Sequence, residues 1–171
     1  MQHSADIQNA SAQLLQQLQE QAGRRGLPFG LIALVGLRVT QLNGCAGFLA
    51  LQTTAARAAG ETERRLAALP DWQGSPLFTD LERAALEWSE AVTEAVQRRV
   101  PKEAWKRLAP QFAPGELVEL ALAAAQSEVP EELWARLTPQ LTPQQIDDLT
   151  LLVTVLNTRN HCANAGGPAG A

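Results

Sequence analysis

Ile7, Ala10, Leu14, Leu15 and Leu18 recur at helical spacing, which predicts an amphipathic first helix over residues 5–22. Residues 23–28, bounded by Gly23 and Pro28, break it. The stretch 29–42 is apolar on most sides and predicts a second helix, of the kind that packs inside a protein. Asn43-Gly44 is a turn dipeptide. A third helix is expected from Cys45 to Gly60, a residue suited to the left-handed position after a helix. Residues 61–69 add a short amphipathic piece closed by Pro70, and 71–76 read as a loop. Thr79 followed by Glu82 is a capping-box signature, and it opens a helix reaching about Gln97.

Beyond that point the chain repeats itself. Shifted by 29 residues (100 to 129), VPKEAWKRLAPQFAPGELVELALAAA aligns with VPEELWARLTPQLTPQQIDDLTLLVT. Trp105 matches Trp134, Pro110-Gln111 matches Pro139-Gln140, and Pro114 matches Pro143. Each copy, 100–125 and 129–154, predicts a short helix starting at proline, a turn and a longer helix, since proline suits the first helical position. Two copies fall short of the roughly three that a solenoid needs. The reading is therefore a duplicated helical hairpin near the C-terminal end of one all-α domain covering 1–165. The extra copy is expected at the periphery or at a subunit interface. Residues 166–171 offer nothing to pack and read as a disordered tail.

Composition narrows the class. Hydrophobic residues make up 46% and charged residues 19% of the 171, and there is no Tyr, which suits a globular helical protein. A net charge of −4 argues against a nucleic-acid partner. Two cysteines are too few for a disulfide-built secreted domain. The Gln-rich start has no continuous apolar stretch, so no signal peptide is read there. The apolar run 31–37 is far too short to span a membrane. A cytoplasmic protein with no membrane partner is expected.

The candidate chemistry lies between residues 36 and 95. GLRVTQLNGCAGFLALQTTAARAAGET resembles the core of the carboxymuconolactone decarboxylase / alkylhydroperoxidase D family, through Arg38, Gln41, Asn43, Gly44 and Cys45 and through the stretch Ala56 to Thr62. LNTRNHCA, beginning at Leu156, resembles the family's last helix with its Asn-x-x-Asn pattern. The resemblance implies an all-α alkylhydroperoxidase D-like fold, assembly into homo-oligomers and no cofactor or metal. It also implies a pair of cysteines that cycle between dithiol and disulfide while reducing a hydroperoxide. The second cysteine attacks, assisted by a His four positions on and by a Glu twelve positions before the first cysteine. Here those three places hold Phe48, Gln52 and Ala33, and only the resolving partner, Cys45, survives. Phe cannot attack a peroxide, and Gln cannot take a proton from a thiol. The resemblance therefore implies a divergent member without dithiol peroxidase activity. The alternative is a hydroperoxide reductase that uses Cys45 as a single redox thiol, regenerated by an external reductant or by Cys162. A third reading is the family's lactone decarboxylation, which wants His or carboxylates that the motif helices lack. The ligand in each case is a small hydroperoxide or another apolar molecule.

Cys45 at a helix start has a physical case for thiolate character. Its other reading is a buried small residue. His161 and Cys162 lie about 100° apart on a helix, which predicts an exposed or half-exposed pair without a shared ligand. Trp72, Trp88, Trp105 and Trp134 are expected to pack cores or hairpins, with Trp105 and Trp134 in equivalent roles. The Arg pairs at 24–25, 64–65 and 98–99 read as solvated helix faces.

Overall fold

The computed structural model describes residues 2–108, 111, 114–126 and 129–165. Among these the order is α1 (Gln2–Arg24), α2 (Phe29–Asn43), α3 (Ala46–Ala58), α4 (Glu63–Ala68), a 3-10 run (Leu69–Gly74), α5 (Asp80–Arg99), α6 (Lys102–Leu108), α7 (Pro114–Gln126), α8 (Glu131–Leu137) and α9 (Pro143–Ala165). No strand occurs among the described residues, and none of their helices is long and apolar enough to cross a membrane. Residues 166–171 lie outside the described residues.

The local signals act as chemistry requires. The Thr79 hydroxyl accepts from the Glu82 N–H at 3.2 Å while the Glu82 carboxylate accepts from the Thr79 N–H at 2.8 Å, so two otherwise orphaned donors open α5. Gly44 ends α2 at φ 62°, a conformation that costs a side-chain-bearing residue energy, and its N–H donates to the Gln41 carbonyl at 3.1 Å. The Thr62 side chain caps α4 through the Arg65 N–H.

One core draws Leu15 and Leu18 of α1, Val35 and Val39 of α2, Trp88 and Val92 of α5 and Leu149, Leu152 and Leu156 of α9 into one cluster. Helix α9 runs through its middle, touching α1, α2, α5, α6 and α7. A second, smaller cluster gathers Leu34 and Leu37 with Leu66, Leu69, Trp72, Phe78 and Leu86. That cluster explains why part of 71–76 is not the expected loop. Trp72 is buried there and its indole N–H donates to Glu90 at 2.7 Å, so the chain coils into a 3-10 turn to reach it.

The hairpin elements recur at the period read from the sequence: Lys102 and Glu131 open the short helices and Pro114 and Pro143 the long ones, each pair 29 residues apart. Prolines open the long helices, whereas Pro101 and Pro130 stand one residue before the short ones, and Pro130 is the N-cap of α8. The first copy is not peripheral. Trp105, Leu117 and Ala121 are buried in the main cluster, because α6 and α7 close over α9. Nor are the two tryptophans equivalent. Trp105 is 1% exposed, whereas Trp134 is 36% exposed and meets Trp88 edge-on at 4.9 Å.

Two arginines expected in solvent are structural instead. Arg65 pairs with Glu61 at 2.7 Å and Glu82 at 2.5 Å and donates to the Leu77 carbonyl, which ties α4 to α5. Arg25 reaches Asp148 at 2.6 Å and pins the end of α1 to α9.

Candidate functional site

The turn at Gly44 delivers Cys45 to the N-cap of α3, where its carbonyl accepts from the Phe48 and Leu49 N–H groups at 3.1 and 3.0 Å. Cys45 is a free, buried thiol, 3% exposed. A Cys45–Cys162 disulfide is therefore absent, and the Cys162 side chain lies outside the described residues. Positions 48, 52 and 56 share one face of α3, and these are its buried residues.

Phe48 is held from the other side by Arg159 of α9, whose guanidinium carbon lies 4.1 Å from the ring centroid. Burial pushes the Arg159 guanidinium below its ordinary pKa, opposed by the attraction that a Cys45 thiolate would exert. The Arg159 Nε is buried without a partner. Sequence reading passed over this arginine, although it is the single charged residue between Leu149 and Ala165. A charge kept in an otherwise uncharged helix was the available signal.

Gln52 is 8% exposed, and its amide oxygen rests against Gly36, where an added Cβ would stand 2.8 Å from it. Gln52 and Ala33 line one recess of about 230 Å³ between α1, α2 and α3. Phe29 and Ile32 give it an apolar wall, and α1 contributes Gln16, Gln19 and Glu20. Glu20 accepts from the Gln16 amide at 3.2 Å. The four positions singled out by the motif thus separate into two pairs. Ala33 and Gln52 face a recess, whereas Phe48 packs on Arg159 and Cys45 is buried beside that charge.

The motif's other polar residues hold the helices together. Asn43 donates to Asn157 at 2.8 Å, Asn157 donates to Thr93 at 3.1 Å, and Gln97 donates to Asn43 at 3.0 Å. Asn160 donates to Thr40 at 3.3 Å. Arg38 donates to Glu90 at 2.7 Å.

His161 departs from expectation. It is 2% exposed, its ring lies parallel to Trp105 with centroids 5.3 Å apart, and its Nε2 has no partner. Burial, with a smaller push from Lys102, lowers its pKa from 6.5 to about 4. The helix end that looked peripheral in sequence is covered by α6. Among the described residues no group of three or more His, Cys, Asp or Glu could hold a metal.

Residues 9–91 match the model of the carboxymuconolactone decarboxylase family. The uncharacterized protein YdfG of Bacillus subtilis (strain 168) is 38% identical over 89 residues, which are 52% of this chain and 60% of that protein. The match thus spans less than two-thirds of that relative. In fold, the chain is similar to the crystal structure of ATU0492 from Agrobacterium tumefaciens, with a TM-score of 0.61 and 23% identity over 87% of this chain and 82% of the other. That protein is of unknown function and is provisionally described as the antioxidant defence protein AhpD.

Proposed function

We propose that this chain, which belongs to the carboxymuconolactone decarboxylase family, binds a small, largely apolar organic molecule and has no dithiol peroxidase activity. One observation carries the reading: Gln52 and Ala33 still share a recess, while Phe48 fills the attacking thiol's place and is packed under Arg159. The recess takes in two of the four motif positions, and neither Gln52 nor Ala33 offers a nucleophile or a base. Absence of a positioned base costs about 10²–10⁴ in rate, and absence of the nucleophile removes the covalent route. An alkylhydroperoxidase-like protein of this kind serves as a binding protein rather than a reductase. The exposed leucines of α3, Leu49 and Leu51, suit a homo-oligomer contact. A cytoplasmic location goes with the acidic, cysteine-poor chain.

The assay is reductant-coupled consumption of cumene hydroperoxide by wild type and Cys45→Ser. Both should turn over at background. Robust turnover that disappears in Cys45→Ser overturns the reading.

That outcome would establish the second reading, a single-thiol peroxidase, which the charge of Arg159 beside Cys45 favours. In that route the thiolate sulfur attacks the terminal peroxide oxygen, the O–O bond breaks and the alcohol leaves. Cys45 becomes a sulfenic acid, which two equivalents of an external thiol return to the thiol as a disulfide and water.

A further inference from the structure

A second recess, sharing no residue with the first, lies where α2, α5, α6 and α9 meet, and it has a volume of about 240 Å³. We propose that it is a binding site for a small monocarboxylate with a short apolar body. Its floor is His161, an almost fully buried side chain whose Nε2 lacks any hydrogen-bond partner. Native interiors rarely leave such a nitrogen unpaired, because it gave up hydration for nothing. The ring is stacked on Trp105, itself buried with an unpaired indole N–H, so parallel packing fixes the plane of the imidazole.

Lys102 stands at the rim, exposed, and its charge bears on the imidazole. We assign the proton of the neutral ring to Nε2, which makes the imidazole and the ammonium two donors on one recess. A carboxylate satisfies both, as a charge-assisted acceptor. Glu103, also at the rim, sets the limit at one negative charge, since a dianion would meet a carboxylate there. Leu42, 36% exposed, lies with Val100 and Pro101 along the same recess and supplies the apolar wall. One N–H of the Gln97 amide, which also lines the recess, is committed to Asn43. The volume is below the range of roughly 300–1,000 Å³ typical of drug-sized ligands. It suits a metabolite-sized acid instead.

The chain has two histidines, so the imidazole C–H signals of His161 are assigned by loss of the other pair in His3→Gln. At pH 7.5 they would be followed by NMR during titration with hexanoate, 1-hexanol and hexylamine, which share one alkyl body. Hexanoate should shift the His161 signals saturably, with a Kd in roughly the millimolar range or tighter. Hexanol and hexylamine should bind about tenfold more weakly or worse, and Lys102→Ala should cost hexanoate about tenfold. Because Lys102 is exposed, that variant tests recognition and not folding. Equal binding of hexanol and hexanoate overturns the proposal, as does an unchanged hexanoate affinity in Lys102→Ala. Ring signals that move with none of the three probes overturn it too, and assign the nitrogen to water.

Discussion

Lowering the pH from 7.5 to 4.5 protonates His161 in the unfolded chain well before the folded chain accepts a proton. In the fold the imidazole is buried against Trp105 and its pKa lies at about 4, against 6.5 in the free side chain. The folded value is depressed for a base, so the native state is favoured by this residue above pH 6.5. That advantage is lost as pH falls through 6.5 toward 4. The full interval corresponds to about 3 kcal/mol. At pH 5.5 about 1 kcal/mol should be gone, and by pH 4.5 about 2 to 3 kcal/mol. The charged groups at the recess pull in opposite directions: Lys102 opposes protonation, whereas Glu103 would favour it. Urea unfolding followed by circular dichroism at pH 7.5, 5.5 and 4.5 measures the effect. The comparison is wild type against His161→Phe, which keeps a flat ring on Trp105 and cannot titrate. Carboxylates protonate in both proteins, so the difference between the two acid slopes isolates His161. Parallel slopes would refute the reasoning, since the folded imidazole would then accept its proton as readily as the unfolded one.

Three further outcomes follow from particular contacts. Thr79→Ala removes the capping hydroxyl of α5 and should cost about 1 kcal/mol, lowering the Tm by about 2–4 °C in a thermal melt. Asn157→Ala removes the acceptor of the Asn43 amide N–H and the Asn157 bond to Thr93 and should cost on the order of 1–3 kcal/mol by urea unfolding, while an exposed control such as Gln144→Ala stays within about 0.5 kcal/mol. Gly36→Ala places a methyl 2.8 Å from the present position of the Gln52 amide oxygen, so that amide must re-aim. Its side-chain NMR signals should shift, while stability changes by less than about 1 kcal/mol because alanine also favours the helix. Unmoved Gln52 signals would mean that the amide does not rest on Gly36.

Helix periods, the Thr79–Glu82 box and the Asn43-Gly44 turn act within the chain's own neighbourhood, and the structure carries them almost as written. What could not be read depended on partners far away in sequence. Trp105 and Trp134 sit in matching local patterns, yet α9 stacks His161 on one and α5 presents the edge of Trp88 to the other. His161 looked exposed because it is near the chain end, and nothing local reveals that α6 folds over it. Arg65 and Arg25 looked solvated because their acidic partners Glu82 and Asp148 lie 17 and 123 residues on. At the candidate site the motif singled out positions but could not show that they divide between a recess and a buried arginine contact.

The division between what the motif keeps and what it has lost follows a physical line. Asn43 bonds Asn157 across two helices, Arg38 holds Glu90, Gly44 supplies a left-handed turn, Glu61 anchors Arg65, and Thr62 caps α4. Each of these residues bonds another helix, turns the chain or caps a helix end, and so has a structural role apart from any chemistry. Phe48, Gln52 and Ala33 occupy places where the resemblance puts the family's reacting residues. Phe48 now fills its place with a ring that Arg159 covers, and Gln52 fills its own with an amide resting on Gly36. Those two replacements are packed, which agrees with the binding role proposed above. It also sets the demand on reversal: Phe48→Cys alone would open a void beneath Arg159 and leave that cation without its ring. A working thiol there needs Gln52→His and Ala33→Glu as well. Hydroperoxide turnover should therefore appear only in the triple variant, and turnover by Phe48→Cys alone would show that the base and acid were supplied from elsewhere.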